Sequence, residues 1–305
     1  MSIRLIGMAA AGFNPPYGNL SIVCNSLAFG NGIFVGISAS QSAVSTDGIN
    51  WTTYSLPASG LTYQSIVFGN GVFSIIGINA LGGAASSADG INWATGKAPV
   101  SSSFWQGSAY GNGYFIAFSS VSPSYLFAGS HDGRNYTAGA GVNLLSATYG
   151  NGVFVGTANT AQVSSDNGTT WTSHVILTGH NWAAVCFGAY ADTGAAVFVA
   201  ISVPSGGTAY VAISSDGVTW IAAYTTTLFT STVTNLVYGN GKFVGTFNAT
   251  TGQTSFVEVK VYASGSPTIS VLTQFSMSPR GVAFGNNKFL AVGVAPNISQ
   301  VLPVI

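Results

Sequence analysis

The chain offers few side chains for acid, base or ion-pair chemistry: its 305 residues include seven Asp and Glu, seven Lys and Arg, three His and two Cys. Two facing carboxylates could cleave a glycosidic bond, one as acid and the other as base or nucleophile. Histidine grouped with cysteine or carboxylate could hold a metal, and serine beside histidine and aspartate could attack an acyl group. The spacing argues against each. Five carboxylates, Asp47, Asp89, Asp132, Asp166 and Asp216, sit in copies of one phrase: Ser45-Thr-Asp-Gly-Ile-Asn-Trp51, Ser87-Ala-Asp-Gly-Ile-Asn-Trp93, Ser130-His-Asp-Gly-Arg-Asn-Tyr136, Ser164-Ser-Asp-Asn-Gly-Thr-Thr-Trp171 and Ser214-Ser-Asp-Gly-Val-Thr-Trp220. An aspartate recurring at one place in one phrase builds a turn: it accepts hydrogen bonds from nearby N–H groups, glycine takes the left-handed corner, and the aromatic covers the hairpin. Only Asp192 and Glu258 are left over. His131, His174 and His180 fall on different repeats or faces without metal-ligand spacing. No Ser-His-Asp order, Walker loop or Rossmann phrase stands in a suitable context. No catalytic residue, metal or cofactor is expected.

The elements that must carry these turns are marked by a second phrase, an aromatic residue, a glycine-rich turn and an apolar run. Its copies are Phe29-Gly-Asn-Gly-Ile-Phe-Val-Gly36, Phe68-Gly-Asn-Gly-Val-Phe73, Tyr110-Gly-Asn-Gly-Tyr-Phe115, Tyr149-Gly-Asn-Gly-Val-Phe-Val-Gly156, Phe187-Gly188 with Val197-Phe-Val199, Tyr238-Gly-Asn-Gly-Lys-Phe-Val-Gly245 and Phe284-Gly-Asn-Asn-Lys-Phe289. Successive copies start 39, 42, 39, 38, 51 and 46 residues apart, the period of one four-stranded propeller blade. Asn-Gly between apolar runs signals a type I′ hairpin, whose two central residues take positive φ. The phrase therefore joins the first two strands of a blade. An all-β fold is expected, a seven-bladed β-propeller with four-stranded blades.

The five aspartate phrases resemble the Asp-box, or BNR-like repeat, of the sialidase-like propeller superfamily, and Ser164 to Trp171 fits its Ser-x-Asp-x-Gly-x-Thr-Trp form without gaps. Blade six has only a degenerate version near Ala263-Ser-Gly-Ser266 and blade seven has none. The resemblance spans nearly the whole chain and implies the fold. It implies no activity, because Asp-boxes occupy structural hairpins in enzymes, lectins, assembly factors and viral proteins alike. The enzymes of the family use an arginine triad, a Tyr nucleophile with a Glu partner, and an Asp acid/base. Here the arginines are Arg4, Arg134 and Arg280 and the single glutamate is Glu258. Arg134 lies inside an aspartate phrase, on the face opposite that family's active site, and Arg4 in an N-terminal strand, so the triad cannot assemble. The resemblance is to a non-catalytic member.

One domain, residues 1–305, is expected. After Phe289-Leu-Ala-Val-Gly293 only one strand-like run remains, Gln300-Val-Leu-Pro-Val-Ile305, which leaves blade seven one strand short. The run Ile3-Arg-Leu-Ile-Gly-Met8 fits as its outer strand, so that pairing of the N- and C-terminal strands closes the ring and removes an exposed edge. Residues 1–20 are then the closing strand and lead-in, and residues 21–305 are blades one to seven. The same assignment argues against a secretory leader, whose charged region would be Arg4 alone and whose apolar stretch is short and interrupted by glycine. No apolar run approaches the ~20 residues of a membrane-spanning helix.

Charged residues make up 5% of the chain and mean hydropathy is +0.44, against about 25% charged in an average domain. With balanced charge there is no electrostatic footprint for nucleic acid or an anionic membrane, and neither nucleic-acid binding nor membrane insertion is expected. Cys24 and Cys186 lie in the inner strands of blades one and five, beyond disulfide reach, and are expected as free buried thiols.

A binding surface is expected at the mouth of the central channel, opposite the two kinds of turn. Five residues before each repeat aromatic stand Cys24, Tyr63, Trp105, Leu144, Trp182, Val233 and Pro279; four before it stand Asn25, Gln64, Gln106, Leu145, Ala183, Thr234 and Arg280. Tyr63-Gln64, Phe104-Trp105-Gln106 and His180-Asn181-Trp182, with Arg280, combine rings with amides, a chemistry suited to sugars. The other reading of those rings is packing between blades. Low charge and the Gly-Asn-Gly and Asp-Gly-x-x-Trp phrasing resemble phage-encoded virion propellers. The expected function is therefore a non-enzymatic appendage, decoration or host-attachment protein of a tailed-phage virion, made in the host cytoplasm, with other virion proteins (capsid or tail) and host-surface glycan as partners. A secreted or cell-surface lectin-like bacterial propeller is the alternative. An assembly factor similar to the propeller that assists photosystem II is disfavoured by the missing basic patch.

Overall fold

The computed structural model describes residues 18–57, 62–78, 83–98, 105–119, 126–227, 231–248, 254–275, 278–294 and 299–302. The asparagine turns form as their sequence requires. Asn31 and Gly32 have φ of 48° and 79°, Asn240 and Gly241 47° and 74°, and the seventh copy places Asn286 and Asn287 at 46° and 60°. Asparagine tolerates this left-handed corner because its short side chain bonds locally.

Each turn joins two strands of an antiparallel sheet. Blade one runs Ser26–Gly30, Ile33–Ile37, Gln41–Ser45 and Thr52–Ser55, paired in that order. Five further sheets repeat the four-stranded order, and a seventh has three described strands, Ser278–Gly285, Lys288–Val294 and Ser299–Leu302. The expected fourth strand near Ile3–Met8 lies outside the described residues. Each first strand lies against the first strand of the next sheet, and Ser278–Gly285 lies against Ser26–Gly30.

Two contacts made by the aromatic phrase hold this arrangement. Within a blade the aromatic packs on a phenylalanine of the second strand, at centroid distances from 4.7 Å for Phe284 and Phe289 to 4.9 Å for Tyr238 and Phe243. Between blades the next glycine seats the following blade's ring. A Cβ at Gly30, Gly69, Gly111, Gly150, Gly188 or Gly239 would collide with Phe68, Tyr110, Tyr149, Phe187, Tyr238 or Phe284, and one at Gly285 with Phe29.

The aspartate phrases make a second belt. Asp47 Oδ1 accepts from the N–H groups of Ile49 and Asn50, both at 2.8 Å, and from the Ser45 hydroxyl, while Oδ2 accepts from Asn50 Nδ2. Trp51 Nε1 donates to Gly48 O at 3.1 Å. The corner glycine then abuts the preceding blade: Gly90 faces Val35 and Val44, and its carbonyl accepts from Ser42 at 2.8 Å.

Blade five departs from this pattern, and its longer turn substitutes for what blade six lacks. Asp192 reaches across to accept from Ala263 N at 3.0 Å and Ser264 Oγ at 3.1 Å, supplying from outside the carboxylate missing from that degenerate turn. Cys24 and Cys186 are free and buried, and burial pushes both thiols up to about 12.

Candidate functional site

The residues expected at the channel mouth stand at the start of each first strand. In blades two, five, six and seven the pairing with the second strand slips there, leaving Gln64, Ala183, Thr234 and Arg280 unpaired in the ladder. Such a bulge re-aims neighbouring side chains. In blades one, three and four the equivalent N–H is kept: Asn25, Gln106 and Leu145 donate to Ile37, Phe118 and Thr157.

This geometry separates the two columns. Cys24, Tyr63, Trp105, Leu144, Trp182 and Val233 are all 0–1% exposed, whereas in the second column Gln106, Leu145, Thr234 and Arg280 are exposed, Asn25 and Gln64 are half-buried and Ala183 alone is buried. Of the two readings of Tyr63, Trp105 and Trp182, their burial fits packing between blades. Trp105 packs among Ile76, Phe115 and Tyr136, and Trp182 among Val155, Ile176 and Phe198. These rings fill the wedge between blades, because the backbone turns them away from the channel where the strand begins. Tyr63 bonds through its hydroxyl to Pro57 O at 3.1 Å, and burial pushes that hydroxyl up to about 12. The indole nitrogens of Trp105 and Trp182 and Nδ1 of His180 are buried without a partner among the described residues. His180 is half-buried with its ring 4.3 Å from that of Tyr210, Asn181 is exposed, and Phe104 lies outside the described residues.

What the structure brings together is a polar rim. Asn235 Nδ2 donates to Arg280 O at 3.0 Å, Arg280 Nη1 to Asn25 Oδ1 at 3.4 Å, and Asn25 Nδ2 to Tyr63 O at 3.0 Å. The chain of contacts links blades six, seven, one and two. Asn25 also borders an open depression of about 410 Å³ with Ser21, Ile22, Val23, Ser38, Ala39 and Gln41. Asn235 and the depression were not singled out from the sequence. Asn235 lies three residues before its aromatic, where Ser26, Ser65 and Ser146 mark the same polar column.

Charge is placed elsewhere. Asp47, Asp89, Asp132, Asp166 and Asp216 are engaged in their own turns. The Asn50 N–H groups hold the Asp47 carboxyl well below the carboxylate range, and the backbone N–H and hydroxyl of Thr170 bring Asp166 down to about 2. Glu258 pairs with Lys242 at 3.0 Å and Lys260 at 3.5 Å. Arg280, exposed at the start of its blade's first strand, is the formally charged member of the rim.

Comparison with known folds fits this ring of sheets. One solved structure described as streptogramin B lyase superposes with a TM-score of 0.72 at 12% identity, covering 94% of this chain and 96% of the other. The fold is a β-propeller. A chain of a mitotic checkpoint complex superposes on the propeller with a TM-score of 0.70 at 10% identity, covering 100% of this chain and 96% of its own. YCF48 bound to D1 peptide gives 0.66 at 14% identity and 96% of both chains. No family model and no curated protein matches the sequence. At these identities the likeness concerns the propeller alone, and the neighbours include an enzyme and non-enzymes.

Proposed function

We propose that the chain is a non-enzymatic binding propeller, a virion component of a tailed phage serving as appendage, decoration or host-attachment protein, and that it meets protein or glycan partners through the rim of the channel mouth. The observation that supports the non-enzymatic part of this reading is the placement of the carboxylates, while the virion role rests on the resemblance of the repeat phrasing and the low charge. All seven are tied to turns or to lysines, while the mouth presents Asn25, Gln64, Gln106, Asn235 and Arg280. Amides and one guanidinium can donate and accept hydrogen bonds to hydroxyls and peptide groups, and they supply no acid and base pair. In the same reading the five Ser-x-Asp turns are Asp-boxes, and Ile3–Met8 completes the three-stranded seventh sheet.

The test is binding of the labelled chain to glycan arrays and host cells, with a Gln64→Ala, Gln106→Ala, Arg280→Ala triple variant as comparison. The parent chain should bind and lose little when salt rises, because attraction between exposed charges is screened within ~8 Å at physiological ionic strength and little of it is available here. The triple variant should lose binding at unchanged melting temperature. Full binding by that variant, or glycoside turnover abolished by Glu258→Gln, would overturn the proposal.

A further inference from the structure

Five turns carry the same Gly-Asn-Gly sequence, and their asparagine amides have different fates. Asn31 Nδ2 donates to Gly71 O at 3.0 Å and to Ala88 O at 2.9 Å on the next blade. Asn112 Nδ2 donates to Asn167 Oδ1 at 3.0 Å, Asn151 to Ser215 O at 2.7 Å, and Asn240 to Asn287 Oδ1 at 2.8 Å. Asn70 has no such bond among the described residues, although its turn has the same φ of 48° and both it and Gly71 are exposed.

We infer that Asn70-Gly71 is a site of spontaneous deamidation, singled out among the five turns by the missing inter-blade latch. The amide nitrogen of Gly71 attacks Cγ of Asn70. The new N–Cγ bond closes a five-membered imide, the Cγ–Nδ2 bond breaks, and the proton lost by Gly71 N leaves with Nδ2 as ammonia. Water then opens the ring at either carbonyl, leaving aspartate or isoaspartate, with no change of oxidation state. Nothing lies within 4 Å of where a Cβ of Gly71 would stand, so the glycine is open on that side. The four other glycines are equally open, which leaves the amide as the distinguishing element. To react, the side chain must rotate toward the following nitrogen and release whatever Nδ2 holds. A latched amide must first give up one or two hydrogen bonds, so Asn31, with two, should react roughly tenfold more slowly than Asn70. The product puts a negative charge on the turn face, and the isoaspartate form lengthens a turn whose register fixes two strands.

The full chain, incubated folded in mildly alkaline heavy-oxygen water and mapped by peptide mass spectrometry, should gain heavy oxygen first at residue 70. In denaturant the five turns should react at similar rates, since their local sequences are nearly identical. Asn167→Gly, which keeps the positive φ of 58° at that corner, removes the Asn112 latch and should raise the rate at Asn112 to about that of Asn70. Equal rates at the five sites in the folded chain would overturn the inference. So would a preference for Asn70 that survives denaturation, or an Asn112 rate untouched by Asn167→Gly.

Discussion

Gly285 of the seventh blade is seated against the Phe29 ring of the first, just as Gly30 is seated against Phe68. The contact leaves no room for a methyl group and joins the last described blade to the first.

Gly285→Ala should therefore destabilise the whole ring rather than one blade. Overpacking of this kind typically costs about 1–3 kcal/mol, read as a lower midpoint in chemical denaturation. Gly32→Ala is a useful contrast: nothing lies near its Cβ, so only the strain of its left-handed φ should register. An unchanged midpoint in Gly285→Ala would mean that the ring slides aside at no cost.

Trp105 and Trp182 are core residues, and replacing either with alanine should cost about 3–5 kcal/mol through the cavity left between blades. The check is thermal unfolding alongside binding. Loss of binding at unchanged stability would restore the stacking role.

The repeat phrases made the sheets legible because each carries its own reason: positive φ for Asn-Gly, backbone satisfaction for Ser-x-Asp. Relations between blades were harder to read. Asp192 serves a turn 71 residues away, and no pattern within blade five announces that. The inward turn of Trp105 and Trp182 depends on how strands start beside their neighbours, whereas sequence position alone left them open to either role. Counting from the aromatic picks out Arg280 and Gln64, but the bulges at both positions come from pairing with the second strand, which the count does not contain.

Acid should weaken the fold through the turn carboxylates. Backbone N–H bonds, from Asn50 first for Asp47 and from Thr170 first for Asp166, favour the ionised form; in Asp89 and Asp132 desolvation pushes the other way and is outweighed by such bonds. Their folded pKa values lie below the unfolded value of ~3.9. The stabilisation is thus fully present above that value and lost as pH falls through the folded one, which for Asp166 is about 2. Melting temperature should be flat near neutrality and drop below pH ~4, with a shallower drop in Asp166→Asn. An identical acid profile in that variant would remove the turn carboxylates as the cause.

Deleting residues 1–9 tests whether the N-terminal run completes the seventh blade. Ser299–Leu302 is the last described strand of that sheet and pairs on one side with Lys288–Val294, where the other six sheets have a fourth strand. An unpaired edge exposes a row of N–H and C=O groups and invites association with other chains. If Ile3–Met8 covers this edge, the truncated chain should melt at a lower temperature and gain a tendency to self-associate, read by light scattering. The loss should be cooperative, because each blade rests on its neighbours on both sides and the seventh is next to the first. Supplying a synthetic peptide of residues 1–9 should restore the melting temperature in a concentration-dependent way, since a segment that binds only the folded chain stabilises it by mass action. A truncated chain that melts as the full one does, and ignores the peptide, would show that the seventh blade stands on three strands.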